Sequence, residues 1–198
     1  MNADALLIMV RNPVAGQVKK RLAATLGPEK ALAIYQSLLD HTRQVALQTQ
    51  ADRCVFYSEF IEAHDEWDER FFSKRIQTGE DLGQRMCQAL SSLQVQYRKM
   101  VLIGSDIPGL SPGLLADAFA RLAEADVVIG PATDGGYYLI GMRECEPAMF
   151  DRIAWSTSEV LEQTLARIGQ LGKSVALLPP LPDIDVEADW VQHGWDLP

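Results

Sequence analysis

Positive charge is in short supply in this chain. Eighteen Lys and Arg face 27 Asp and Glu, for a formal net charge of -9. A nucleic-acid backbone needs a basic face to replace its counter-ions, so nucleic acid is not expected as the main partner. Cysteine is scarce as well. Cys54, Cys87 and Cys145 are odd in number and far apart. They set neither a zinc spacing nor a disulfide framework, and read as small hydrophobes or free thiols in a reducing cytosol. His41, His64 and His193 stand alone, which argues against a histidine metal site or triad. No long apolar run occurs. The first, Ala5 to Val10, leads straight into a basic loop, so neither a signal peptide nor a membrane span is expected, and the cytoplasm is the expected location. The Gly-x4-Gly-Lys-Ser/Thr pattern and the Gly-x-Gly-x-x-Gly pattern are both missing. This excludes a Walker P-loop and a Rossmann fingerprint.

What is present is an ordinary globular composition, 47% apolar and 23% charged, which suits a folded core. At 198 residues, with no repeat, linker or low-complexity tract, one domain over 1–198 is expected. The continuous apolar run Ala5–Val10 reads as a strand buried on both faces, and Arg53–Ser58, Met100–Ile103, Val127–Ile129 and Tyr137–Met142 read as further strands. A short strand at Lys74–Gln77 and a last central strand at Val175–Leu178 are added to these. Helical spacing runs through Leu32, Tyr35, Leu38, Leu39, Thr42, Val45 and Ala46, from a start near Pro28. It recurs through Leu82, Met86, Ala89, Leu90 and Leu93, and again through Leu114, Leu115, Ala118, Phe119 and Leu122 behind a Ser111-Pro112 cap. Ser156-Thr157-Ser158-Glu159 fits a capping box for a helix through Leu171. The acidic, aromatic stretch from Phe60 to Phe72 has no clear period. Strands alternating with helices define an α/β fold with a largely parallel sheet.

Three loops carry candidate chemistry. Gly104-Ser105-Asp106-Ile107-Pro108-Gly109-Leu110-Ser111 follows a strand and holds a single carboxylate. Open α/β sheets bind ligands at the carboxyl edge of their strands, and Asp106 there suits a divalent metal holding a diphosphate. A solvated or capping Asp is the plain alternative. The loop from Arg11 to Arg21 holds Arg11, Lys19, Lys20 and Arg21 and no acid. Between a strand and a helix, Gly16 could admit a ligand close to the backbone, and Lys19 and Arg21 could neutralise phosphates. A solvated loop is its alternative. Gly130 to Gly136 places Asp134 before two glycines, where it could meet an acceptor, act as a base, or close an Asx-turn. In the tail, Asp183 and Asp185 alternate, so at most one of them would face a site shared with Asp106.

Four motifs in this order resemble a known group. They are Pro13-x-x-Gly16-x-x-Lys19-x-Arg21-Leu22, Asp81-Leu82-Gly83-x-Arg85-Met86, Gly104-Ser105-Asp106-x-Pro108-x-Leu110 and Gly130-Pro131-Ala132-x-Asp134-Gly135-Gly136-Tyr137. Together they look like the bacterial transferase 1 family associated with radical-SAM and selenoprotein-type domains. That family is similar to GT-A glycosyltransferases and to the molybdenum-cofactor and 2-phospholactate guanylyltransferases. The likeness runs from Leu7 to Trp190.

The resemblance implies a GT-A-like three-layer sandwich and a transferase using a nucleotide-diphospho-sugar donor with Mg²⁺ or Mn²⁺. The donor would be a nucleotide-activated small molecule, with an acceptor that the sequence does not identify. Pro13, Gly16, Lys19 and Arg21 would hold the nucleotide, Asp81 and Arg85 would lie beside it, and Asp106 would take the metal. The Asp-x-Asp common in GT-A glycosyltransferases is replaced here by a lone Asp106, which is closer to the nucleotidyltransferase pattern. Asp185 could then supply a second metal ligand. Asp134 is the expected catalytic group on the acceptor side. Nucleotidyl transfer with pyrophosphate release, or nucleotide binding without catalysis, are the alternative readings.

Overall fold

The computed structural model describes residues 3–197. One seven-stranded sheet runs through it, in the order β3-β2-β1-β4-β6-β5-β7. The strands are β1 (Asp4–Val10), β2 (Asp52–Tyr57), β3 (Ser73–Ile76), β4 (Lys99–Ile103), β5 (Val127–Pro131), β6 (Tyr137–Met142) and β7 (Val175–Leu177). Only β6 runs against its neighbours; every other pairing is parallel. The helices are α1 (Lys20–Leu26), α2 (Pro28–Leu47), α3 (Leu82–Ser91), α4 (Pro112–Arg121), α5 (Val160–Gln170) and α6 (Glu187–His193). None of the described helices is long and apolar enough to cross a membrane.

Period-two alternation along β1 sends its side chains to both sides of the sheet. Leu6, Ile8 and Val10 join one core with Tyr35 and Leu39 of α2 and Leu115 and Ala118 of α4. Ala5 and Leu7 join a second core with Met86 and Leu90 of α3 and Ile168 of α5. Helices therefore cover both faces, giving three layers. A third cluster packs Leu22 of α1 and Ile34 and Leu38 of α2 under Ile184, Trp190 and Trp195, which seats the tail on the first two helices. This seat fixes where the aspartates of the tail fall.

Several local expectations meet a different outcome. The basic loop ends in a helix, α1, that apolar spacing did not reveal, because only Leu22 of its seven residues is buried. β7 is an edge strand and not a central one, and Leu177 on it is correspondingly exposed. No capping box opens α5. The helix begins at Val160, and Glu159 at its N-cap makes no side-chain cap bond. Thr157 instead bonds backward, donating its hydroxyl to the Ala154 carbonyl at 2.7 Å. The cap at α4 does form, with Ser111 Oγ accepting the Leu114 N–H at 3.2 Å. Between Phe60 and Phe72 the chain is irregular. It is held by buried Trp67 and Phe72, edge to face at 5.0 Å, and by Asp65, which accepts from Tyr57 at 2.5 Å and Lys74 at 2.7 Å.

Candidate active site

At one edge of the sheet β1, β2 and β4 end and β6 begins. The chain must leave the sheet there, and the loops diverge around a cavity of about 760 Å³. The first two turns of this edge are tied together by one buried side chain. Asn12 donates to the Phe60 carbonyl at 2.9 Å and accepts from the Glu59 N–H at 3.1 Å, so the loops after β1 and β2 move as one. Tyr35 does the same for β1 and β4. Its hydroxyl accepts the Arg11 N–H at 2.8 Å and lies 3.3 Å from Ser105 Oγ. Burial pushes the Tyr35 phenol up to about 12, so it stays a neutral strut. Gln77 donates to the carbonyls of both Val10 and Phe56, closing the gap between β1 and β2. None of these three was singled out from sequence. The Asn12-Pro13 pair was the available signal, since Asn before Pro starts turns.

Within this frame the basic loop and the Asp106 turn meet. Lys19 Nζ reaches Asp106 Oδ2 at 2.8 Å and also bonds the Ile184 carbonyl. The Lys19 side chain is only 9% exposed against 36% for Asp106, so the ammonium lies beneath the carboxylate and not out in solvent. Lys19 takes a left-handed backbone conformation, φ 45°, uncommon for a residue with a side chain. That conformation is held in place by the ion pair and by the start of α1. Arg21, two residues on, pairs with Asp185 at 2.5 Å, and this pair is largely exposed. The tail completes the edge, with the Ile184 N–H donating to the Asp106 carbonyl at 3.0 Å.

The expected site residues separate into two groups. Lys19, Arg21, Asp81, Arg85, Asp106 and Asp185 all line the cavity. Asp81 has a structural task there, because its carboxylate caps α3 by accepting the Gln84 N–H at 2.8 Å. Arg85 is braced by a bond from its Nε to the Gly79 carbonyl at 3.1 Å, which aims its guanidinium at the cavity. Pro13, Gly16 and Asp134 do not form part of the wall. Gly16 shapes the loop behind it through a positive φ of 75°. Asp134 closes an Asx-turn, its Oδ1 accepting the Gly136 N–H at 2.9 Å.

Asp183 is the other tail aspartate that the alternation left open beside Asp185. Its carboxyl is pushed up to about 6, chiefly by burial and then by the negative charges of Asp106 and Asp134. Lys19 pulls the other way, and does not offset them. Hard carboxylate oxygens such as those of Asp106 fit a Mg²⁺- or Mn²⁺-type cation. Among the described residues no group of three metal-binding side chains is close enough to chelate an ion alone. Such a cation would therefore need oxygens from a phosphate or water as well, as Mg²⁺ commonly does.

The three-layer sheet and the edge site define the class: an α/β fold of the nucleotide-diphospho-sugar transferase type. Residues 39–157 match the family described as "Uncharacterized protein conserved in bacteria (DUF2064)", and the chain belongs to that family. Among solved structures it is similar to a nucleotide-diphospho-sugar transferase candidate from Desulfovibrio desulfuricans G20, 33% identical, with a TM-score of 0.86 over 94% of this chain and 84% of that one. It shares its fold with Rv0371c from Mycobacterium tuberculosis H37Rv, 16% identical, TM-score 0.64, with 97% of each chain covered. It also shares it with the inositol-1-phosphate CTP transferase of T. maritima, 16% identical, TM-score 0.59, covering 94% of this chain and 91% of that one. No curated protein matches the sequence.

Proposed function

We propose that the chain, acting as one domain, is a metal-dependent transferase that takes a nucleotide-diphospho-sugar and passes the sugar to an acceptor. The observation that carries this reading is the half-buried Lys19–Asp106 pair at the mouth of a nucleotide-sized cavity. A buried cation beside a carboxylate offers both halves of a diphosphate site. Lys19, with Arg21 and Arg85, binds phosphate oxygens, and Asp106 holds the cation. Asp185, which lines the cavity beside Arg21, is the candidate second carboxylate, and Asp183, outside the cavity wall but close enough to feel the charge of Asp106, is its alternative. A bound Mg²⁺ or Mn²⁺ supplies stabilisation of negative charge on the leaving diphosphate. The chain's own contribution is to position the donor and to keep charged groups preorganised at the point of bond breaking. Asp134, which lies outside the cavity wall, is the candidate base for the acceptor hydroxyl, and the acceptor would have to approach from its side.

Nucleotidyl transfer is the second reading, favoured by the single carboxylate of Ser105-Asp106-Ile107-Pro108 and by fold likeness to a CTP transferase. One experiment separates the readings. A panel of nucleotide sugars and nucleoside triphosphates is incubated with the chain and candidate acceptors, with and without Mn²⁺. Release of nucleoside diphosphate supports sugar transfer, and release of pyrophosphate supports the second reading. Nucleotide binding that ignores metal and yields no product points to a non-catalytic binding module. No binding of any nucleotide sinks both transferase readings.

A further inference from the structure

The second core holds a feature that nucleotide chemistry does not use. Cys87, midway along α3, and Cys145, just beyond β6, place their sulfur atoms 3.7 Å apart. They are 58 residues apart in sequence, so only the fold brings them together. Cys145 is buried and Cys87 partly exposed, so one thiol of the pair is open to a reagent and the other waits behind it. The Cys145 backbone is positioned by its N–H, which donates to Gln94 Oε1 at 3.1 Å.

We propose that Cys87 and Cys145 are a thiol–disulfide site, oxidised to an internal disulfide by low-molecular-weight disulfides and reopened by thiols. The reaction balances in two displacements. The Cys87 thiolate attacks one sulfur of oxidised glutathione, and a glutathione thiolate leaves. The Cys145 thiolate then attacks the Cys87 sulfur and expels the second glutathione thiolate. The two cysteine protons pass to the two departing thiolates, and the two electrons lost by the protein reduce the glutathione disulfide. Cys87 is the more exposed of the two and so the first to react, and burial holds the Cys145 thiol above the ordinary thiol range, which makes the second displacement the slower one.

Closure needs the sulfurs to approach to about 2.05 Å. Residues 143–146 lie outside any helix or strand and can supply that movement. α3 cannot easily do so, because Gly83 lies against the Trp155 ring with no space for a Cβ. The bond ties α3, which brings Arg85 and Met86 to the cavity wall, to the end of β6.

The test uses the full chain in its native state. It is incubated with oxidised glutathione, quenched with acid, alkylated and mapped by mass spectrometry. The expected product links the Cys87 and Cys145 peptides, loses about 2 Da and is restored by dithiothreitol. Cys54, buried in β2, stays alkylatable and serves as the control. Cys145→Ser is expected to stop at a lasting glutathione adduct on Cys87. Two results on the unmodified chain overturn the proposal, whatever the variant does: a persistent adduct on Cys87, or full alkylation of both thiols after oxidation. The readout needs no nucleotide, so it stands apart from the transferase assay.

Discussion

The loop between β1 and α1 and the loop between β5 and β6 look alike on paper. Each follows a strand, carries charge and contains glycine. In the folded chain the first directs its charges at distant partners. Lys19 meets Asp106 and Ile184, and Arg21 meets Asp185. The second turns inward, since Asp134 bonds Gly136 two residues away. The difference follows from where the chain goes next. After Arg11 it must cross the sheet edge to reach α1 and α2, passing the end of β4. After Pro131 it reverses into the adjacent antiparallel strand, and its one charged side chain is used within the turn. Its backbone reaches further, with the Thr133 N–H donating to the Leu181 carbonyl and the Gly135 carbonyl accepting from Leu161, so this loop joins its neighbours through main chain and the basic loop through side chains.

The sharpest way to break this contrast is Asp106→Asn. Metal-dependent nucleotide affinity is expected to fall by about 10²-fold or more, as for loss of a charge-assisted contact. Folding stability should drop by about 1–2 kcal/mol, because a nearly buried Lys19 loses its counter-charge while Asp106 itself is partly solvated. Titration calorimetry with Mn²⁺ and a nucleotide sugar, beside thermal melting, reads both. Unchanged affinity in a folded variant removes Asp106 from the site.

The glycine loop is tested next, on stability. Gly135 has φ 94°, and a Cβ there would run into the Ser158 carbonyl. Gly135→Ala is therefore expected to cost about 2–4 kcal/mol, measured by denaturant unfolding. Asp134→Asn keeps an acceptor oxygen for the turn and should melt within about 0.5 kcal/mol of the parent. If Asp134 is nonetheless the acceptor-side base, this quiet variant loses turnover with donor affinity intact. Normal turnover would end that role.

The smallest expected effect is a pH dependence. Asp183 binds its proton more tightly in the folded chain, at about 6, than the ordinary carboxyl does. In the metal-free protein the native state thus holds more protons than the unfolded one between pH 4 and 6. Stability falls as pH rises through that window and levels off above it. Asp183→Asn should flatten this slope and stabilise the metal-free chain at pH 7 by about 1 kcal/mol, after discounting for solvent screening. Parallel melting curves for parent and variant from pH 4 to 7 would show that Asp183 does not feel Asp106 and Asp134.

Much of this was legible in one dimension. Apolar runs of the right length and helices at 3.6-residue spacing specify alternating layers, because burying those faces leaves few other arrangements. Charge clustered at Arg11–Arg21 and the lone carboxylate of Asp106 marked two loops that the fold brings together at one edge of the sheet. Sequence could not say how either tail aspartate is set relative to Asp106, since that depends on Ile184 seating against α1 and α2. Nor could it pair Cys87 with Cys145, or reveal that Asn12, Tyr35 and Gln77 brace the cavity. Those are contacts between segments tens of residues apart. Local propensity sets each element's own conformation, whereas the distance between side chains on different elements is decided only when the layers close.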